Sequence, residues 1–316
     1  MSYRVVKPAT HEEWLEERKK GIGSSEAGTI MGVNHFDTPF KLWRRKTGLD
    51  NTVKTGEQLE LGHHLEPAVA SLFEARTGFE IQKSSEGDWL AVDTKREYLR
   101  VSPDRIYFKP GEKHIRSNQH ILECKTSSIS IDKDDIPPYW YCQIQYQMGI
   151  MGVKSGALAW ITSFPRLHFD YIEVEFNPSF FKSLIEVLDK FWNVNILQNI
   201  APDDINGDDA IVRNPEAQEG LVMEADEETI EVYNNLKMVI NSISELEKTK
   251  SDLEGELKST MGKAESLVMP SGTVMAKWAN TKPSARFNAK SFQAADPDEY
   301  MKYVEILPGT RRFNLK

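Results

Sequence analysis

The tripeptide Glu123-Cys124-Lys125 constrains this chain more than any other stretch. It ends the run Ile121–Lys125, which reads as a β-strand, and successive strand side chains point to opposite faces. Ile121, Glu123 and Lys125 therefore share one face, while Leu122 and Cys124 share the other. A carboxylate and an ammonium among apolar strand residues are costly unless they pair or bind something. Asp104, in Ser102-Pro103-Asp104-Arg105, closes an adjoining strand (YLRVSPD), so a hairpin brings its carboxylate beside Glu123. Two carboxylates converging with a lysine suit a hard divalent cation such as Mg2+, which takes oxygen ligands and keeps several waters. A cation so held polarises a phosphoryl oxygen and generates hydroxide, and a lysine can orient that nucleophile or neutralise developing charge. Glu-x-Lys alone is commonly a surface ion pair, and Pro-Asp alone is ordinary turn chemistry. Their order within one hairpin gives them meaning.

The flanking pattern supplies elements to hold such a strand. His11–Lys20 is rich in helix formers, Gly21-Ile22-Gly23 breaks it, and Ser24-Ser25-Glu26 offers caps for a following helix. Leu61, Leu65, Val69, Leu72 and Phe73 recur at helical spacing over Glu60–Arg76. Strand character follows at Phe79–Gln82, Trp89–Val92, Tyr98–Val101, Ile106–Phe108 and Ile121–Lys125. Pro137-Pro138 precedes Tyr139–Met151, read as a buried helix; its Tyr139, Trp140, Tyr141 and Tyr146 could stack on DNA bases, but aromatics of a central helix are more often core. Strands at Ala157–Thr162 and His168–Phe176 lead to a helix started by Asn177-Pro178-Ser179. Residues 202–215 are rich in Pro, Asp, Gly and Asn, as a linker is. Beyond them Leu236, Val239, Ile243, Leu246, Leu253 and Leu257 fall on a heptad stripe. A free helix of that length is marginal, so a coiled-coil hairpin or an arm laid on the main body is expected. The expected division is a core at 1–203, a linker at 204–219, and a helical arm with a β-rich appendage at 220–316.

Charge does not exclude nucleic acid. Of the 39 basic and 48 acidic residues, four lysines and twelve acids lie between Glu216 and Gly262. The remainder is nearly neutral, with room for basic patches. Two cysteines, Cys124 and Cys142, support neither a disulfide scaffold nor a cysteine zinc site. No apolar run approaches the length of a membrane span and the start lacks a signal-peptide core, so a soluble protein of the cytoplasm is expected, with no membrane association.

The motifs in order resemble the PD-(D/E)xK nucleases, and within them the YqaJ and lambda-type phage recombination exonucleases, over roughly residues 10–200. An Arg before a Gly-rich turn and Ser-Glu is matched by Arg18, Gly21, Ser25 and Glu26. Gly-x-x-x-Glu falls on Gly62 and Glu66, Ser-Pro-Asp on Asp104, and Glu-x-Lys on Glu123 and Lys125. Gln-x-Gln-Tyr falls on Gln143–Tyr146, and Phe-Trp on Phe191-Trp192. The resemblance implies an α/β fold with a restriction-endonuclease-like core, a mixed central sheet flanked by helices. It implies that Asp104, Glu123 and the Cys124 backbone carbonyl ligate Mg2+, with Mn2+ able to substitute. Lys125 would serve the attacking water, Glu66 would approach the metal directly or through water, and Gln143 would line the site. Arg18 and Ser25 resemble residues that bind a terminal 5′-phosphate; a helix N-terminus and a guanidinium fork both suit that anion, although Ser24 and Ser25 could equally be plain caps. His63-His64 lacks a spaced partner and reads as polar packing. Arg311 and Arg312 could touch a DNA backbone or form a tail ion pair. Relatives with an iron–sulfur cluster use four cysteines, so no such cluster is available here.

The activity implied is Mg2+-dependent 5′–3′ degradation of linear double-stranded DNA ends, leaving 3′ overhangs for recombination by single-strand annealing. A phage annealing protein is the implied partner, with the acidic arm as its docking site, and a ring-shaped homo-oligomer such as a trimer is implied as the assembly. Two rivals remain: a structure- or sequence-selective endonuclease on the same fold, and a catalytically inactive DNA-binding scaffold. Asp104, Glu123 and Lys125 together argue against the scaffold, because binding alone does not need them.

Overall fold

A computed structural model describes residues 2–52, 56–83, 88–163, 166–307, 309 and 311–316. Two compact units divide the chain at residues 214 and 215. In the first unit, β1 (Tyr3–Val6) and α1 (His11–Lys19) lead through a 3-10 turn at Ser24–Glu26 into α2 (Ala27–Ile30) and α3 (Pro39–Lys46). Thr10 caps α1 and Thr38 caps α3 through their hydroxyls. The long α4 (Glu57–Thr77) ends where Gly78 takes the left-handed conformation at φ 70°. Short strands follow: β2 (Glu80–Ile81), β3 (Leu90–Asp93), β4 (Arg100–Val101) and β5 (Arg105–Phe108). Next come β6 (His120–Ser127), α5 (Pro138–Met151), β7 (Ser155–Thr162), β8 (His168–Glu175) and α6 (Pro178–Lys190). Asn177 caps α6 as its sequence predicts, accepting from the Phe180 N–H at 3.0 Å.

The central sheet has five strands in the order β2-β5-β6-β7-β8. β6 and β7 run parallel and the other neighbours antiparallel, so the sheet is mixed, as expected. A second sheet pairs β1-β3-β4. Helices cover both faces of the central sheet, which is the restriction-endonuclease-like arrangement. Ile121 packs in the core beneath α5 and α6, whereas Leu122 and Cys124 pack with Val69, Ala70 and Phe73 of α4. The alternation inferred for this strand is therefore realised.

Three details differ from the sequence reading. β4 joins the second sheet, so the hairpin that delivers Asp104 is β5–β6, with Asp104 just before β5. In α4, Val69 and Phe73 are buried but Leu61 and Leu65 are exposed, because only the C-terminal half of the helix supplies core to the sheet. The expected linker at 204–219 is structured in its first half. There α7 (Gly207–Arg213) buries Asp209, whose carboxylate accepts from Thr38 Oγ1 at 2.7 Å and from the Ile205 N–H at 3.1 Å. A buried carboxylate with these partners ties the segment down despite its polar composition.

The second unit contains α8 (Glu227–Met261), a hairpin of β9 (Ser266–Val268) and β10 (Val274–Lys277), and two short helices, α9 (Ala289–Ala295) and α10 (Pro297–Met301). α8 is one unbroken helix of 35 residues rather than a helical hairpin. All six residues of its heptad stripe are exposed, so its support is local. Asp226 caps its first turn, accepting from the Thr229 N–H at 2.8 Å, and Glu254 meets Lys258 one turn on. Among the described residues, no helix is long and apolar enough to cross a membrane.

Candidate active site

Glu123 and Lys125 emerge from the middle of β6 on the face covered by α5. The Glu123 side chain is 3% exposed and that of Lys125 19%, and Lys125 Nζ donates to Glu123 Oε1 at 2.7 Å. Two glutamines of α5 complete the carboxylate's bonds. Gln143 Nε2 donates to Oε1, and Gln147 Nε2 donates to Oε2 at 2.8 Å. Gln143 also accepts from Lys125 Nζ at 2.9 Å, closing a triangle of Glu123, Lys125 and Gln143. These are strong bonds, because each involves an ionised partner in a site of low polarity.

Asp104 reaches the same place from the sheet edge. Its Oδ2 accepts from the Cys124 N–H at 2.6 Å. That bond is open to it because β5 pairs with β6 only at His120–Leu122. In an extended strand the N–H and C=O of one residue point to the same side, so the Cys124 carbonyl also faces Asp104. Burial, with the charges of Glu123 and Glu66, pushes the Asp104 carboxyl well above its ordinary range. Burial alone would lower Lys125, but Glu123 and Asp104 outweigh it and hold the ammonium above its ordinary value. The Cys124 thiol is pushed far up, first by burial and then by the surrounding carboxylates. The contact Cys124 makes with Asp104 is through its backbone N–H.

Glu66 lies on α4 within electrostatic reach of Asp104, but it is engaged: Arg105 Nη1 donates to it at 2.5 Å and also to the Asp104 carbonyl. Among the described residues, no three His, Cys, Asp or Glu side chains converge as a complete metal cage. His63 and His64 are exposed on α4 rather than packed. The donor set facing the cluster is therefore two carboxylates and one carbonyl, all oxygen. It fits a magnesium-like cation, which is usually bound through one or two carboxylates with waters filling the rest. Two further observations support that fit. Asp104 carries repulsion that a cation would relieve, and Gln147 Oε1 is buried without a hydrogen-bond partner.

A second constellation adjoins the first. Arg18 Nη2 donates to Ser25 Oγ at 3.1 Å, and its guanidinium lies 4.5 Å from the centroid of the Trp14 ring. It also covers Gly23, where a side chain would begin 3.3 Å from Nη2. Ser24 Oγ accepts from Gln147 Nε2 at 3.2 Å, so one side chain links this turn to Glu123. Gln147 and Arg105 are the residues that sequence reasoning missed. Gln147 had a signal, since it follows Gln143 by four residues and helical residues so spaced share a face. Gln145 does not join them: two positions from Gln143, it instead clamps the junction of β8 and α6 through Glu175 O and Asn177 N. Tyr146 and Trp140 are buried core, as expected, and Tyr146 Oη ties Ile22 O to the Arg100 N–H.

A mixed sheet with Asp before one hairpin strand and Glu-x-Lys on the next defines the PD-(D/E)xK class. The family model described as the YqaJ-like viral recombinase domain matches residues 13–154. Over that segment the chain is similar to the YqaJ-like viral recombinases. It is 29% identical over 322 residues to uncharacterized protein YqaJ of Bacillus subtilis (strain 168), covering 97% of this chain and 94% of that one. Among solved structures, an alkaline exonuclease from Laribacter hongkongensis aligns at 15% identity with a TM-score of 0.44, over 57% of this chain and 90% of its own. A phage related exonuclease from Haemophilus somnus 129PT aligns at 12% identity with a TM-score of 0.37, over 57% of this chain and 96% of its own.

Proposed function

We propose that the chain is a divalent-metal-dependent 5′–3′ exodeoxyribonuclease that degrades one strand from the ends of linear duplex DNA, leaving 3′ overhangs. The observation that carries this is the meeting of Asp104, Glu123 and Lys125 next to the Arg18–Ser25 pair. Asp104, Glu123 and the Cys124 carbonyl would hold the cation, and Glu66 would act on it through water, because Arg105 occupies its carboxylate. Bound Mg2+ would supply Lewis-acid polarisation of the scissile phosphate and acidify water. Glu123 and Asp104 favour the Lys125 ammonium, which suits this side chain to donate to the nucleophile or the developing charge. Gln143 holds Lys125 and Glu123 in register, which fixes where that donor points. Arg18 and Ser25 would grip the terminal 5′-phosphate and so require an end. The acidic arm on α8 would dock a single-strand annealing protein of complementary charge, and copies of the chain would close into a ring around DNA.

The test pairs end-labelled linear duplex with covalently closed circular DNA in Mg2+. An end-dependent exonuclease consumes the first and leaves the second intact. Cutting of the circle would replace this reading with the endonuclease, and inertness on both would replace it with the scaffold.

A further inference from the structure

Beside the catalytic cluster stand three rings that the account above does not use. His35 and Phe36 have centroids 3.9 Å apart, and each meets Tyr139 edge-on, at 5.7 and 6.1 Å. Phe36 is 73% exposed. Single exposed apolar residues are common, but this cluster is held in place. A side chain at Gly28 would begin 2.5 Å from Tyr139 Cβ, so glycine there lets α2 and α5 touch and fixes the base of the Tyr139 ring. Burial pushes the Tyr139 phenol up while the Lys125 ammonium pulls against it, which places the ring within reach of the catalytic charge.

Tyr139, Gln143 and Gln147 are spaced four apart on α5, so they form one stripe with stations about 6 Å apart along the axis. Gln147 touches Ser24, next to the Arg18–Ser25 pair. Gln143 touches Glu123 and Lys125. Tyr139 carries the rings. A strand whose terminal 5′-phosphate sits at the first station and whose scissile phosphate sits at the second can continue only toward the third.

Resting on the exonuclease reading, we propose that His35, Phe36 and Tyr139 form a stacking subsite for the nucleobase on the 3′ side of the bond being cut. The ligand class is an unpaired base of any sequence, since every base has a π-face. A base can reach these rings only once its pair is broken, so the subsite favours an end that is already frayed.

The test uses the Lys125→Ala protein, expected to hold DNA without cutting it, and 5′-phosphorylated oligonucleotides with 2-aminopurine at the first, second, third or sixth position. Fluorescence should be quenched most at the second position, the base just past the first scissile bond. Phe36→Ala in the same background should abolish that quenching and weaken single-strand binding about 5- to 160-fold, the loss of about 1–3 kcal/mol of stacking. Phe36→Trp should restore both. Equal quenching at all positions, or quenching unchanged by Phe36→Ala, overturns the subsite while leaving the nuclease reading intact if the unaltered chain degrades linear DNA. Failure of the Lys125→Ala protein to bind any of these oligonucleotides, with no degradation by the unaltered chain, overturns both.

Discussion

Lys125→Met isolates the charge of the lysine proposed to act in catalysis, because methionine keeps the aliphatic stem and removes only the ammonium. The Glu123 carboxylate then stays in a pocket where its side chain is 3% exposed, with two glutamine donors but no positive partner on β6. Breaking a buried pair from one side costs about 3–5 kcal/mol, and the surviving glutamine bonds place this case near 3. For a unit of this size each kcal/mol moves the midpoint by roughly 2–4 °C, so a fall of about 6–12 °C is expected. The folded pKa of Lys125 is raised, so its stabilisation is fully present below the ordinary value of 10.5 and is lost only as pH rises through the raised value. At pH 8 the whole effect is therefore visible. Tryptophan fluorescence is a fitting probe, since every tryptophan except Trp278 lies in the first unit. Melts in chelator should show the loss, and Glu123→Gln on top of Lys125→Met should recover part of it by removing the stranded charge. DNA cleavage should fall about 100- to 10,000-fold. A midpoint within 1 °C of the unaltered chain would refute the argument that the pair is buried and coupled.

Other perturbations address other contacts. The raised Asp104 pKa means a penalty that is absent below its ordinary value of 3.8 and grows as pH rises above it; metal-free protein should lose midpoint over that rise, and Asp104→Asn should flatten the slope. Arg18→Ala should reduce the preference for 5′-phosphorylated over 5′-hydroxyl ends, and competition between the two labelled substrates reads the ratio directly. Gly28→Ala forces a methyl against Tyr139 and should destabilise by about 1–3 kcal/mol in a urea titration.

The faces of β6 were legible because period-two alternation assigns each residue of the strand to a face without knowledge of its neighbours. Gln143 was legible through motif resemblance, whereas the role of Gln147 was not. A glutamine on a buried helix shows no sign in sequence of which carboxylate it serves, and only the crossing of α5 over β6 supplies Glu123. Glu66 was expected to approach the metal directly or through water, and its hydrogen bond from Arg105, adjacent to Asp104 in sequence, had no sign in the sequence pattern. The segment around Asp209 looked like a linker because its composition is polar, and a buried carboxylate capped by Thr38 from 171 residues away leaves no local trace. For α8 the stripe was real, but a heptad pattern does not say whether anything covers it.

Calorimetric titration of Mg2+ at pH 8 into the intact chain, Asp104→Asn and Glu123→Gln measures directly whether these two acids are a cation's ligands. Saturable binding by the intact chain and its loss in both variants is the predicted result. Binding of equal strength and stoichiometry in all three proteins would contradict the assignment of this cluster as the metal centre.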